Sequence, residues 1–435
     1  MEHIEEPQSK GGQTTVSHVT AGPSFDASVY EQHQPTQHVE YRVYKRRWFG
    51  LIQLVLLNIA VSWDGGPKAA ILAASVLILV GNWIRYAGTR IAGGNYGAVL
   101  FSQILIGFAQ PFVLSAPTRY SDLWFTDKGR VSATAVASLA NPLGAALGQL
   151  IGPFWATEPS GVPNLVLYTA IVVLFSQIAT AGWSNAYPVL RSGSAGLFVP
   201  SKPPTPPSAS SAQPKLELSK SSKALSRNIS FYLIFIPFSV YVGFFNASSS
   251  LLNQILEPYG FTEDQAGIAG GIMIVVGLIA SAIVSPLVDR TKQYLLTIKI
   301  LVPLIAVGYL ALVFAPETRA VAAPYIICAV LGAASFSLLP CALEYLVEIT
   351  HPVSPEISST ICWSGGQLLG AVFIIIMDAL KGDWSGQPPD TMKRALVFEA
   401  VVSWLVVPFV LALGWWGKTS IKLNRITADE DDNAP

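Results

Sequence analysis

Charged residues are scarce in this 435-residue chain: they make up 12% of it, whereas hydrophobic residues make up 51%. A soluble domain carries roughly a quarter of its residues as charged side chains. Half that density leaves too little polar surface to solvate a globule of this size, so lipid has to be the solvent for much of the chain. Lys and Arg balance Asp and Glu at 27 each, so no nucleic acid or other polyanion is indicated as a partner.

Catalytic and metal-binding motifs are also missing. The sequence contains no phosphate-cradling G-x-x-x-x-G-K-[ST] loop, no H-E-x-x-H and no G-x-S-x-G. The three cysteines (Cys328, Cys341 and Cys362) lie in apolar stretches without metal-ligand spacing, so we expect small core residues. We therefore predict a protein that is not an enzyme and that holds neither a metal nor a cofactor.

Long uncharged segments fill most of the chain and alternate with short polar joints. An α-helix needs about 20 residues to cross the hydrocarbon of a bilayer, and most of these segments reach that length. We predict an all-α membrane protein with about eleven transmembrane helices. The predicted spans are 48–63, 67–88, 96–119, 130–155, 163–189, 229–252, 265–288, 294–314, 321–348, 356–380 and 394–416.

A Pro- and Ser-rich basic segment interrupts the series of spans and predicts two helical bundles. It includes Lys202, Lys215 and Arg227, and its composition is typical of a linker on the cytoplasmic side. The predicted organisation is a disordered cytoplasmic tail (1–45), an N-terminal bundle (46–190), a cytoplasmic linker (191–228), a C-terminal bundle (229–417) and a cytoplasmic tail (418–435).

Short charged joints and small-residue motifs recur in the two halves. Gly65–Lys68 joins two spans of the first half, as Asp289–Lys292 does in the second. Asn141-Pro-Leu-Gly144, continuing to Gly148, is echoed by Ser364-Gly-Gly-Gln367, continuing to Gly370. Two related halves are the architecture that permits alternating access to a central site.

Amide and aromatic side chains inside the spans are the candidate solute-binding residues. Burying a polar group in hydrocarbon costs several kcal/mol unless it is paired, and an amide both donates and accepts hydrogen bonds. Aromatic faces attract cations. Interhelical hydrogen bonding and interface anchoring are the ordinary alternatives. The candidates are Gln367, Asn141, Trp363, Asn246, Tyr241 and Gln110.

Charged helix ends and glycine faces are the candidates for gating and for contact between helices. We expect the charged residues to form the connections between helices on the cytoplasmic side. Glu344 is expected to cap a helix or to pair with a basic residue across the gate. Glycine lets helix backbones approach closely, in a static or a sliding contact. Asp378 and Glu399 are expected at the membrane interface. With no acid clearly at mid-depth, proton coupling is not indicated, and facilitated diffusion is the alternative. The candidates are Lys68, Arg119, Asp289, Arg290, Glu344, Gly144, Gly148 and Gly370.

Several blocks together resemble the feline leukaemia virus subgroup C receptor-related transporters, a branch of the major facilitator superfamily also described as solute carrier 49-like. The similar blocks are Gly81-Asn-Trp-Ile-Arg85, Pro117 through Gly144, and Leu339 through Gly370, all within residues 46–416. The resemblance implies twelve helices in two bundles, a central cavity, and transport of choline-like or ethanolamine-like solutes, with haem and vitamin-type cargo also proposed.

The chain departs from the family pattern at two places. Pro142 stands where the family's fifth helix has Gln, whereas Gln367 matches the eleventh-helix Gln. At Asp64 the first span runs straight into the charged joint, so the end of the family's first helix and all of its second are absent. We interpret this gap as a deletion in the gene model or the transcript, which leaves eleven spans.

The sequence therefore predicts a monomeric secondary transporter for a small polar solute, with cationic and zwitterionic solutes as candidates. Its partners are that solute and the lipid bilayer, either the plasma membrane or an internal membrane of vacuolar or lysosomal type. The alternatives are a membrane receptor or scaffold that carries nothing, and an inactive truncated form of such a transporter.

Overall fold

The computed structural model describes residues 69–91, 94–155, 159–181, 205–213, 215–216, 218–382, 391–414 and 423–431. All of the described residues belong to one compact unit. The predicted N-terminal tail, the first predicted span (48–63), the apparent deletion at Asp64 and Lys68 lie outside these ranges.

The described residues form α-helices joined by short turns, with no strand among them. Three single 3-10 turns, Pro159–Gly161, Glu257–Tyr259 and Pro316–Thr318, accompany helix ends. The helices are α1 (Ala69–Arg90), α2 (Tyr96–Trp124), α3 (Arg130–Trp155), α4 (Val162–Ala181), α5 (Ala209–Ala212), α6 (Leu218–Arg227), α7 (Ile229–Leu256), α8 (Glu263–Thr291), α9 (Tyr294–Phe314), α10 (Ala322–Thr350), α11 (Pro355–Ala379), α12 (Lys393–Ala412) and α13 (Asn424–Asp431).

The long helices coincide with the predicted spans. Each predicted span from 67–88 onwards overlaps one helix among α1–α4 and α7–α12. Within the described ranges, seven helices are long and apolar enough to cross a bilayer, namely α2 and α7–α12. The all-helical membrane architecture is therefore confirmed.

Polar residues at the joints define where several helices begin. Asn95 accepts a hydrogen bond from the Ala98 amide, 3.0 Å away, at the start of α2. Thr262 and Gln265 form a reciprocal capping box at the start of α8. Such side chains satisfy amides that have no partner within the helix.

Hydrogen bonds bring one end of α2, α3, α8, α10 and α11 together on the side of α5, α6 and α13. We call this side the linker end and the opposite side the far end. In the first half, α2 packs on α1 and α3, and in the second half α10 packs on α8 and α9 while α7 packs on α11 and α12. Contacts of α2 with α11, and of α3 with α8 and α10, join the two halves.

Glycine permits the contact between α8 and α10. A Cβ on Gly332 of α10 would lie 1.9 Å from the Met273 carbonyl oxygen of α8, and one on Gly277 would lie 2.7 Å from the Gly332 carbonyl oxygen. The two backbones therefore meet at a distance that no side chain allows. Cys328, Cys341 and Cys362 are free and buried, as predicted.

Candidate functional site

Two of the predicted amide residues contact each other inside the helical region. The Asn246 Nδ2 atom donates to Gln367 Oε1 over 3.2 Å, and both side chains are half-buried. At about 1.5 Å rise per residue, Gln367 lies roughly 18 Å along α11 from its first residue, and Asn246 roughly 15 Å from the last residue of α7. The pair is therefore at mid-depth. This bond uses one N–H and one lone pair, so both amides retain further hydrogen-bonding capacity.

Small residues bring the two amide-bearing helices together. A Cβ on Gly370 would lie 3.3 Å from the Asn246 Cβ, and one on Gly243 would lie 3.1 Å from the Gly370 backbone nitrogen. A Cβ on Gly366 would lie 2.6 Å from Val242 Cγ1. The glycine face of α11 therefore packs directly on α7, and this close approach places the amides within hydrogen-bonding distance.

Asn141 and Gln110 lie at a comparable depth on the helices of the first half. Asn141 is roughly 16 Å from the first residue of α3, and Gln110 roughly 21 Å from the last residue of α2. Both side chains are half-buried. Gly144 is buried one turn beyond Asn141 in α3, and Gly148 follows it in the same helix.

The two aromatic candidates are packed within the second half. Tyr241 donates its hydroxyl to the Ser403 carbonyl over 2.8 Å, so its polar group is already used between α7 and α12. Trp363 is 6% exposed and meets Phe238 edge to face, with ring centroids 5.5 Å apart. In this conformation both rings pack against neighbouring helices, and their role in solute binding stays a prediction.

A second polar cluster lies at the linker end, where Glu344 of α10 joins both halves. Its Oε1 atom accepts from Ser121 Oγ of α2 over 2.7 Å and also from Thr134 Oγ1 of α3. Its Oε2 atom accepts from Arg425 Nη2 of α13 over 2.6 Å. All four side chains are buried. Glu344 thus pairs with a basic residue, and that residue comes from the C-terminal tail.

Arg425 extends the cluster along α10. Its Nε atom donates to Glu348 Oε1 over 2.7 Å, and the Ile426 amide donates to Glu348 Oε2 over 3.1 Å. Arg425 is 0% exposed, so one guanidinium compensates two buried carboxylates. Such a network is tolerated because its charges are paired, and removal of one partner leaves an uncompensated charge.

Asp122 of α2 is a third acid in this cluster and is also 0% exposed. Its Oδ2 atom lies 3.3 Å from Arg119 Nη1 and 3.4 Å from Lys215 Nζ, and its Oδ1 atom lies 3.8 Å from Arg425 Nη1. The predicted gating residue Arg119 therefore neutralises an acid of its own helix. Lys215 and Arg425 bring the linker and the tail to the same acid.

Arg130, the first residue of α3, ties the tail to the linker. Its Nη1 atom lies 3.0 Å from Asp429 Oδ2, and its Nη2 atom donates to Ser208 Oγ and Ser210 Oγ over 2.8 and 3.0 Å. The Ser210 amide donates to Asp429 Oδ1 over 2.7 Å. The helix α13 is thus fixed at both of its ends, by Arg425 and by Asp429.

Asp289 of α8 caps the N-terminus of α3 from the other half of the chain. Its carboxylate accepts from the Val131 amide over 3.0 Å, from the Ser132 amide over 2.8 Å and from the Ser132 hydroxyl. The first amides of a helix have no partner within it and carry a partial positive charge. A carboxylate accepts their hydrogen bonds and offsets this charge. Asp289 therefore joins the halves directly.

The remaining charged candidates lie around this contact. Lys292 donates to the Asp127 carbonyl, and its Nζ atom lies 3.4 Å from Asp127 Oδ2. Arg290 is exposed. Between α2 and α11, Thr118 Oγ1 and Ser359 Oγ are 2.9 Å apart, which adds another hydrogen bond between the halves.

Burial shifts the titration of groups at the linker end. Burial lowers the pKa of Lys215, and Arg425 and Arg119 add to this effect while Asp122 opposes it. Although burial opposes it, pairing with Glu348 and Glu344 raises the pKa of Arg425 well above its usual value. Burial also lowers the pKa of His351 to about 3.

Sequence reasoning missed the role of the C-terminal tail. The sequence assigns Arg425 and Asp429 only to the predicted cytoplasmic tail, although they are four residues apart on one helix face. Asp122 and Arg130 were not singled out. Within the described ranges, no group of three or more His, Cys, Asp or Glu side chains could hold a metal ion.

The fold and the buried polar clusters define a multi-pass helical membrane protein whose two halves meet around internal polar groups. The family model described as "Major Facilitator Superfamily" matches residues 49–374. The chain belongs to this superfamily of membrane transporters.

Individual relatives lie in the branch that the sequence resembled. Solute carrier family 49 member A3 of Xenopus tropicalis is 28% identical, covering 86% of each chain. The choline/ethanolamine transporter FLVCR1 of Felis catus is 30% identical over 78% of this chain and 60% of its own length. Among solved structures, the major facilitator transporter FucP shares the fold, with a TM-score of 0.57 at 16% identity, covering 84% of this chain and 89% of its own.

Proposed function

We propose that this chain carries a small polar organic solute, of the choline or ethanolamine kind, across the bilayer by alternating access between two helical bundles. The N-terminal bundle comprises residues 46–190 and the C-terminal bundle residues 229–417. The names of relatives such as FLVCR1 suggest this solute class. The geometry of the polar residues supports a site between the bundles.

The contact between Asn246 and Gln367 is the observation that carries the proposal. Two amides paired at mid-depth and only half-buried are able to exchange their mutual hydrogen bond for bonds to a solute. A hydroxyl or amino group on the solute supplies both a donor and an acceptor. Asn141 and Gln110, at similar depth on the first half, are the proposed facing residues.

The linker end supplies the proposed gate. Hydrogen bonds and ion pairs through Asp289, Glu344 and Arg425 tie the two halves together there. The basic residues of the linker favour the cytoplasmic side for this end. We therefore assign the conformation as closed towards the cytoplasm, so that release of a solute inside requires the ionic cluster to separate.

Uptake into sealed vesicles tests the proposal. The chain is reconstituted beside a version that carries the segment absent at Asp64, taken from a relative, and both are offered radiolabelled choline, ethanolamine and, as a negative control, lactate. We expect saturable uptake of choline or ethanolamine, and a loss of at least about tenfold in apparent affinity for Gln367→Ala, which corresponds to removal of one or two hydrogen bonds.

A matched variant separates the site from general damage to the fold. Gln103→Ala removes the same amide from an exposed face of α2 and is expected to leave uptake unchanged. If Gln367→Ala and Gln103→Ala behave alike, Gln367 does not belong to the site. If neither chain takes up any of the solutes while both insert in the membrane, a receptor or scaffold replaces the transporter.

A further inference from the structure

A carboxyl group is enclosed among the helices of the second half, away from the ionic cluster. Glu399 of α12 is 0% exposed, although the sequence suggested an interfacial position for it. It lies roughly 9 Å along α12 from the first residue at the far end. Its helix packs on α7 and α9. This acid is therefore surrounded by protein within the hydrocarbon region.

The surroundings of Glu399 offer oxygen atoms and no opposite charge. Its Oε1 atom accepts from Ser248 Oγ of α7, and within the described residues its Oε2 atom has no hydrogen-bond partner. Ser403, one turn further along α12, also has a buried hydroxyl without a partner there. The titratable groups that face this region are Tyr309 of α9 and Tyr241 of α7, both neutral phenols, with Cys328 of α10 beside Tyr309.

An ionised carboxylate in this environment is costly. Burying a charge in hydrocarbon without a counter-charge costs several kcal/mol, whereas a neutral carboxylic acid gains an O–H group that can donate a hydrogen bond. Neither Ser248 nor the facing phenols supply a positive charge. The packing of α12 thus fits the protonated side chain.

We propose that Glu399 is a proton-binding site linked to the solute site. The two sites share α7, because Ser248, which donates to Glu399, is two residues along this helix from Asn246, which donates to Gln367. Ionised Glu399 only accepts from Ser248, whereas protonated Glu399 also donates, so the two forms favour different placements of α7. The proton is taken from water and returned to water. If solute binding shifts this equilibrium, protonation shifts solute affinity by the same factor.

Infrared spectroscopy of the purified full chain in lipid nanodiscs tests the site without any solute. We expect a carbonyl band of a protonated carboxylic acid at neutral pH, lost in Glu399→Gln and retained in Asp378→Asn, which alters an exposed carboxyl group near the far end of α11. Retention of the band in Glu399→Gln would overturn the proposal. So would its disappearance on addition of sodium chloride at constant pH and matched ionic strength, because the site would then hold a metal cation.

A second measurement tests the link, which rests on the proposed function. Choline uptake by the wild-type chain is expected to change at least about threefold across the pH range in which the infrared band titrates, and Glu399→Gln is expected to flatten this dependence. An unchanged pH profile in Glu399→Gln would remove the link. The infrared measurement does not depend on choline uptake, so failure of choline transport and failure of proton binding are distinguishable.

Discussion

The two halves of the chain are held together in different ways. Among the described residues, one continuous apolar core lies mainly in the helices of the second half, from Phe231 to Leu413, and also takes in Leu114 and Val131 of the first half. Buried apolar residues confined to the first half form two small groups, one around Trp124 and one around Ile78. The first half meets the second through a few apolar residues, among them Leu114, Val131, Ala135 and Leu139, and through buried charges and hydroxyl groups at the linker end.

This difference indicates which part of the molecule is rigid and which part can move. A continuous apolar core is close-packed and resists deformation, so the second half behaves as a unit. Ion pairs and hydrogen bonds between the halves depend on geometry and can separate when water enters. The joint between the halves is thus the part of the described structure best suited to open and close.

Arg425→Ala should have the largest effect and tests the joint directly. It leaves Glu344 and Glu348 buried without their positive partner, which costs about 3–5 kcal/mol in comparable networks. We expect a clear loss of thermal stability in detergent and faster proteolysis of the linker. Arg290→Ala, at an exposed arginine near the same end, is the control and should change neither.

Removal of all the charges around Arg425 should restore part of the stability that Arg425→Ala loses. Combining Arg425→Met with Glu344→Gln and Glu348→Gln removes all three charges and should recover part of the lost stability, because uncharged groups of similar size carry a smaller desolvation cost. If Arg425→Ala melts like the wild type, the tail helix does not hold the halves together.

Gly332→Ala breaks the packing of the second half. The added Cβ would collide with the Met273 carbonyl oxygen, so α8 and α10 have to move apart. Overpacking of this kind costs about 1–3 kcal/mol. We expect a lower melting temperature, measured by tryptophan fluorescence. Gly107→Ala in the first half, where nothing lies within 4 Å of the new Cβ, should not lower it.

Acidification should destabilise the folded chain through His351. Its pKa is about 3 in the folded chain and about 6.5 unfolded, so its neutral form stabilises the fold above pH 6.5 and this contribution is lost as the pH falls towards 3. One pH unit below the unfolded value, the loss should be about 1.4 kcal/mol. The measurement is melting temperature against pH, and His351→Gln should show a shallower decline. Equal slopes would contradict this assignment.

Asp289→Asn should have the smallest effect among these changes. It replaces the carboxylate that caps α3 with an amide, which retains one acceptor oxygen and loses the charge, at a cost of about 0.5–2 kcal/mol. Hydrogen exchange should quicken at the amides of Val131 and Ser132. Exchange at α12, which packs on α7 and α9, serves as the internal reference and should remain unchanged.

The sequence predicted the helices and several polar residues but not how they pair. Uncharged segments of sufficient length locate the spans, since hydrocarbon excludes charge. Asn246, Gln367 and Glu344 were recognisable because polar groups within such segments are rare. The bond between Asn246 and Gln367 depends on the crossing at Gly243 and Gly370, which sequence spacing alone does not define.

The residues that sequence reasoning misjudged owe their burial to distant segments. Arg425 lies in a polar tail, and only the folded structure places its side chain against Glu344 and Glu348 of α10. Glu399 is close to the end of its helix, and its burial follows from the packing of α7 and α9 around it. The predicted deletion at Asp64 lies outside the described residues and stays a prediction.

A reversible cross-link at the linker end tests the central claim most directly. In a background that lacks Cys328, Cys341 and Cys362, cysteines replace Thr118 and Ser359, whose hydroxyl oxygens are 2.9 Å apart across the halves. Oxidation should lock this end and abolish choline uptake into vesicles, and reduction should restore it. Undiminished uptake by the fully cross-linked chain would contradict alternating access through this joint.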